Sequence, residues 1–130
     1  MIDSTTPDTL IAAARAAALH AYAPYSKFRV GAALLGQDGH LYTGCNVENA
    51  SYGLSICAER NALFHAIAAG CRTFSGLAII ASRPVPPCGA CRQVLAEFCP
   101  PDMPIYLGSL EHPATSQTTL GDLFPTPFGL

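Results

Sequence analysis

Hydrophobic and polar positions follow two rhythms along this chain, and each change of rhythm marks an element. Thr6-Pro7-Asp8 places a capping residue before a proline at the first helical position. The alanine-rich run Asp8 to Tyr22 then predicts a helix ended by Pro24. Phe28 to Leu35 is apolar and bounded by turn residues, Gln37-Asp38-Gly39 is a hairpin signal, and Leu41 to Val47 reads as the return strand. From Cys57 to Ala69 the period becomes helical, with Ala58, Ala62, Leu63, Ala66 and Ile67 on overlapping faces and Gly70 as the stop. Gly76 to Ala81 is continuously apolar, as in a strand buried on both faces. The proline-rich loop Pro84 to Pro87 leads into a helix from Cys88 to about Phe98, and a short strand, Ile105 to Leu107, follows Pro104. A turn of helix is expected at Leu120 to Phe124. Strands alternating with helices in this order predict an α/β fold, a three-layer α/β/α sandwich.

Length and composition narrow the picture. A chain of 130 residues is expected to form one domain, residues 1–130. Only 12 % of it is charged, against about 25 % in a typical soluble domain. So few charges cover a monomer's surface poorly, which predicts burial of a face in a homo-oligomer; an aggregation-prone monomer is the alternative. The net charge is −2, Lys27 is the single lysine, and the six arginines are scattered. A polynucleotide backbone needs a basic track, so no nucleic-acid partner is expected and a small molecule is the expected substrate. The apolar stretch from Leu10 to Leu19 lacks a basic n-region and is broken by Arg15, and no run reaches membrane-spanning length. A cytoplasmic chain with reduced thiols and no membrane partner is therefore expected. Cys45, Cys71 and Cys99 have no motif around them and are expected to pack as small apolar residues.

The other three cysteines carry the chemistry. Cys57-Ala58-Glu59 is followed by Pro87-Cys88-Gly89-Ala90-Cys91. Cys88 and Cys91 are three apart on one helix face, and all three thiols lie at helix starts, where partial positive charge favours thiolates. Three thiols fill three corners of a zinc tetrahedron, and an open fourth corner is where a catalytic zinc keeps water. Glu59 is placed to move protons there. Three thiolates leave the site at −1, and Arg60 or Arg92 could offset that charge by hydrogen bonds to sulfur. A structural zinc site is the alternative, with a fourth ligand from His20, His40, His65, His112 or another cysteine.

Cys57-Ala58-Glu59-Arg60 with Pro87-Cys88-Gly89-Ala90-Cys91-Arg92-Gln93 is similar to the zinc signature of the small homotetrameric cytidine deaminases. Pro24 to Ala33 resembles the family's first strand and Asn46 to Leu54 its ribose-binding segment; the match runs from about Ala21 to Phe98, with a weaker echo in the tail. The resemblance implies a mixed sheet of roughly five strands and one Zn²⁺ per subunit, held by Cys57, Cys88 and Cys91. It implies Glu59 as the proton shuttle; Arg60 stands as a candidate beside the thiolates, and whether it or Arg92 supports them is left open by the sequence. Ala58 would contact the base through its backbone, Asn46 and Glu48 would hydrogen-bond the ribose, and Phe28 would pack on the base. Tyr52 and Phe128 would reach the site from neighbouring subunits, making the homotetramer the catalytic unit. The implied reaction is hydrolytic deamination of cytidine and 2′-deoxycytidine in pyrimidine salvage. Two departures stand out: a tail reading Leu123-Phe124-Pro125-Thr126-Pro127-Phe128, and a short loop from Ser82 to Pro86. The short loop keeps a deaminase of modified or antibiotic cytosine nucleosides as a second reading. A non-catalytic structural-zinc module is the third, and editing of nucleic acid is disfavoured by the missing basic track.

Overall fold

The fold is known from a computed structural model that describes residues 7–112 and 115–130. At its centre is a mixed sheet in the order β2-β1-β3-β4-β5. β1 (Val30–Gly36) pairs antiparallel with β2 (Leu41–Cys45) and, on its other side, with β3 (Phe74–Ala81). β3 runs parallel to β4 (Pro104–Ser109), and β5 (Ser116–Thr119) closes the edge antiparallel to β4. The expected hairpin is present: Gly39 adopts φ 85°, a left-handed conformation that glycine takes without a Cβ penalty.

Strand periodicity distributes the apolar residues to both faces. Leu10 and Ala14 of α1 (Pro7–Ala18) pack with Ala33, Leu35, Ala78 and Ile80 on one side. Ala32, Leu34, Leu77, Ile79 and Ile105 point the other way, into a core shared with α2 (Ala58–Ala68) and α3 (Gly89–Phe98). This is the expected three-layer sandwich. β3 is covered on both faces, as its unbroken apolar run required. Cys71 and Cys99 are buried and Cys45 half-buried, and none of the three joins the thiol cluster.

Several boundaries differ from expectation. The first helix ends at Ala18, four residues before Tyr22. Leu19, His20 and Ala21 tighten into three-residue hydrogen-bonded turns, and Tyr22 then pairs with the strand end opposite. Its N–H donates to the Asn46 carbonyl and its carbonyl accepts from the Glu48 N–H, so long-range pairing overrides the alanine-rich helix propensity. The cap expected of Thr6 lies outside the described residues. Phe28 precedes β1, and Val47 follows β2 as isolated bridges to Tyr22 and Ile56. β5 reads Ser-Gln-Thr-Thr, polar throughout, which hid it from a search for apolar periodicity. A single 3₁₀ turn at Tyr52–Leu54 and the short α4 (Leu120–Leu123) complete the described elements. Among the described residues no helix is long and apolar enough to cross a membrane.

Candidate active site

α2 and α3 each begin at a cysteine. Cys57 (φ −72°, ψ 154°) and Cys88 (φ −67°, ψ 170°) are N-cap residues, and neither uses its side chain to cap. Both thiols are therefore left to converge, and Cys91 joins them from the first turn of α3. The Cys57 and Cys88 sulfurs lie 3.7 Å apart and those of Cys88 and Cys91 3.4 Å apart. Zinc at about 2.3 Å from each sulfur in tetrahedral geometry sets neighbouring sulfurs about 3.8 Å apart, so this donor set fits one zinc ion. Among the described residues the cluster holds these three ligands and no fourth. His65 is engaged elsewhere, its Nδ1 3.1 Å from the Thr43 carbonyl oxygen and its ring edge-on to Tyr42. Among the described residues the structural-zinc alternative thus lacks its fourth protein ligand.

Of the two arginines the sequence left open, Arg60 reaches a thiol: its Nη2 donates to Cys57 Sγ at 3.4 Å. Arg92 points away, with Nε donating to the Pro87 carbonyl and Nη1 to the Leu123 carbonyl, each at 2.7 Å. The Cys57 thiol is drawn down to about 5, first by a hydrogen bond with Cys91 and then by Arg60 and Cys88. Cys91, sharing that bond and more deeply buried, is pushed the opposite way. Glu59 is 5 % exposed, and burial pushes its carboxyl up to about 7, with negative charge at Cys57 adding to the rise. A carboxyl poised near neutrality is suited both to take and to return a proton.

A cavity of about 190 Å³ opens over this group, walled by Val30, Asn46, Cys57, Ala58, Glu59 and Cys88. Val85 and Pro86, from the short loop flagged in the sequence, form its rim. Asn46 cross-links two strand ends: Oδ1 accepts from Val30 N–H at 2.9 Å and Nδ2 donates to the Phe28 carbonyl at 2.8 Å. One amide hydrogen and one carbonyl lone pair remain for a ligand. Phe28 is half-buried beside the rim loop, with the Arg83 guanidinium 5.4 Å from its ring centre. Glu48 lines a second cavity, about 350 Å³, together with Tyr25, Ser26, Tyr52 and Ser55. Tyr52 is 75 % exposed and Phe128 is 72 % exposed, its carbonyl held by Gln93 Nε2 at 3.1 Å. Within one chain, then, Asn46 and Ala58 join Cys57, Cys88 and Glu59 in lining the cavity, whereas the buried Cys91 and Phe28, Glu48, Tyr52 and Phe128 stand outside its lining.

Residues 4–107 match the family described as the cytidine and deoxycytidylate deaminase zinc-binding region. The chain belongs to that family. It is 51 % identical over 123 residues to a cytidine deaminase of Sporosarcina psychrophila, covering 93 % of this chain and 90 % of that one. Identity to the cytidine deaminase of Halalkalibacterium halodurans is 54 % over 110 residues, 83 % of each chain. The 1.6 Å crystal structure of cytidine deaminase from Burkholderia pseudomallei superposes with a TM-score of 0.89 at 50 % identity, covering 95 % of this chain and 100 % of that one. The cytidine deaminase of Mycobacterium tuberculosis gives a TM-score of 0.83 at 43 % identity, covering 95 % and 97 %.

Within this deaminase-family fold, tertiary structure adds residues that sequence reasoning passed over. Asn61 Nδ2 donates to the Cys45 carbonyl at 2.8 Å, clamping α2 to the end of β2. A Cβ at Gly44 would collide with the α2 backbone at Ala62 N and would lie 2.6 Å from Ala58 O, so glycine there permits the close approach that seats the thiol-bearing helix. Ser26 and Tyr22 organise the loop before Phe28. All four lie within the stretch from about Ala21 to Phe98, Ser26 alone inside a quoted motif, but nothing in their one-dimensional setting reveals what they touch across the fold.

Proposed function

We propose that the chain catalyses hydrolytic deamination of cytidine and 2′-deoxycytidine to uridine and 2′-deoxyuridine plus ammonia, as one domain serving pyrimidine salvage in the cytoplasm. The observation that carries this reading is the shared cavity, lined by Cys57 and Cys88 of the three-thiol cluster together with Glu59 and Asn46. Cys57, Cys88 and Cys91 would hold the metal. When bound, zinc supplies a Lewis acid that makes water nucleophilic near neutral pH.

This chain's residues then manage position and protons. Glu59 accepts the first proton of the attacking water and passes it to pyrimidine N3 while the C4–O bond forms. It carries the second proton to the exocyclic nitrogen. The C4–N bond breaks with its electron pair on nitrogen, ammonia leaves, and C4 becomes the carbonyl of uridine, as in zinc nucleobase deamination generally. Ala58 would present its backbone to the base, Asn46 and Glu48 would receive the sugar hydroxyls, and Phe28 would pack on the base. Arg60 would hold the Cys57 thiolate in place.

The catalytic unit in this reading is a homotetramer. Tyr52, Leu54 and Phe128 are more than two-thirds exposed, a set of apolar side chains suited to cover a neighbour's cavity. Loss of cytidine absorbance, followed with and without a zinc chelator and in Glu59→Gln, tests the chemistry. Turnover abolished by chelation, and reduced by at least about two orders of magnitude in a zinc-loaded Glu59→Gln, is the expected result. Unchanged cytidine in the zinc-loaded wild type would refute the reading. A sedimentation run showing only monomer at micromolar concentration would refute the tetramer.

A further inference from the structure

The loop before β1 contains a hydrogen-bonded relay that neither the thiols nor Glu59 explains. Glu48 Oε1 accepts from the backbone N–H groups of Tyr25 and Ser26 at 3.0 and 3.1 Å. Its Oε2 accepts from the Ser26 hydroxyl. The same hydroxyl oxygen accepts from the Phe28 N–H at 3.0 Å. A hydroxyl has one hydrogen, and the Phe28 N–H can only donate, so the direction is fixed: Phe28 N–H to Ser26 oxygen, and Ser26 O–H to the Glu48 carboxylate. On its other side Phe28 offers its carbonyl to Asn46 Nδ2. Both polar groups of the Phe28 backbone are thus tied to the Asn46–Glu48 segment, one directly and one through Ser26.

The backbone between the relay's ends is strained in a way that serves it. Among the described residues Lys27 is the non-glycine residue with positive φ, at 60°. That conformation costs an L-residue roughly 1–2 kcal/mol, and it turns the chain so that the Phe28 N–H comes back over the Ser26 oxygen. Strain of this kind persists where surrounding contacts over-determine it. Here those contacts are the Glu48 carboxylate and the Lys27 N–H donated to the Ala23 carbonyl at 3.0 Å.

We propose that Ser26 is a positioning residue of the nucleoside site, whose hydroxyl couples the sugar-binding Glu48 to the base-packing Phe28 so that the two are set as one unit. The proposal rests on the reading of Glu48 and Phe28 given above. Ser26 touches no reacting atom and acts through its two neighbours. It also supports the charge of Glu48, whose carboxyl is held below its ordinary range, chiefly by the Ser26 hydroxyl. Lys27 is the charged group facing that carboxylate, and Tyr25, Tyr52 and Ser55 share its cavity.

Ser26→Ala and Ser26→Thr in the zinc-loaded enzyme test this, with kcat and KM for cytidine measured from pH 4 to 8. Ser26→Ala should raise KM about tenfold, the scale of one hydrogen bond to a charged group, with kcat within about twofold of wild type. Its acid rise in KM should begin at higher pH, because the Glu48 carboxylate has lost its donor. Ser26→Thr, which keeps the hydroxyl, should restore both. Independently of turnover, hydrogen exchange at the Phe28 amide should quicken in Ser26→Ala, and the Glu48 carboxyl carbon should titrate at higher pH. Unaltered KM, pH profile and Phe28 exchange in Ser26→Ala would overturn the proposal, as would Ser26→Thr behaving like Ser26→Ala. If exchange and titration change as expected while the wild type leaves cytidine untouched, the relay stands and the functional reading fails.

Discussion

Gly44→Ala should disable the site without touching a ligand. Gly44 pairs with Ala32 across the β1–β2 hairpin, and both face α2. A Cβ at position 44 would lie 2.6 Å from Ala58 O and 2.8 Å from Asn61 C, against about 3.4 Å for ordinary contact. Those obstacles are helix backbone, which cannot swing aside as a side chain can. α2 must therefore retreat by about 0.8 Å or more, carrying Cys57 and Glu59 away from Cys88 and Cys91 on α3. Overpacking of this kind costs about 1–3 kcal/mol of stability. A displacement approaching 1 Å costs on the order of 100-fold in rate, so kcat/KM should fall about 10- to 100-fold. Gly31→Ala is the control on the opposite face, where the new Cβ would meet Ala14 O and Ala18 N of α1. It should lower stability comparably while leaving zinc affinity unchanged, because α1 carries no ligand. Urea melts, chelator competition for zinc and initial rates on both variants decide the matter. A Gly44→Ala enzyme with wild-type zinc affinity and rate would show that close helix–strand approach does not set the thiol geometry.

Arg60→Gln removes the cationic donor on Cys57 and should weaken zinc binding about 10- to 100-fold in competition with a chromophoric chelator; unchanged affinity would dismiss its role in supporting the thiolate. At the far end of the sheet, Asp38 accepts from the Tyr42 hydroxyl at 2.6 Å and from the His40 N–H, which lowers its pKa. A carboxyl depressed in the folded state contributes stability above its unfolded value near 3.9 and loses it as pH falls toward the folded one. The urea midpoint should accordingly drop below about pH 4 in the wild type and drop less in Asp38→Asn, and equal acid sensitivity of the two would contradict this. Arg92→Ala frees the carbonyls of Pro87 and Leu123 and should expose the tail to limited proteolysis, with cleavage after Leu120 faster than in wild type.

The sequence carried the zinc chemistry with little help. Cys57, Cys88 and Cys91 were identifiable because the two cysteine segments fall where apolar periodicity starts two helices, and helix starts bring ligands together with favourable partial charge. The sandwich was legible for the same reason, since β1 and β3 alternate apolar residues to both faces. β5 was not: its four polar residues pair only because β4 offers an edge, and edge pairing leaves little trace in hydrophobicity. The end of α1 was misplaced because Tyr22 answers to Asn46 and Glu48, more than twenty residues away.

What the sequence determined by itself was the set of candidate groups: three thiols, one carboxylate between them, and an amide and a carboxylate upstream. Their types and local spacing are covalent facts, and chemistry depends first on which groups are present. Tertiary structure decided which group acts on which. It assigned Arg60 rather than Arg92 to the thiolate, buried Glu59 enough to bring its carboxyl near neutrality, and tied Phe28 to Glu48 through Ser26. Those outcomes rest on burial and on contacts between distant segments, and both arise only when the two helices close over the sheet.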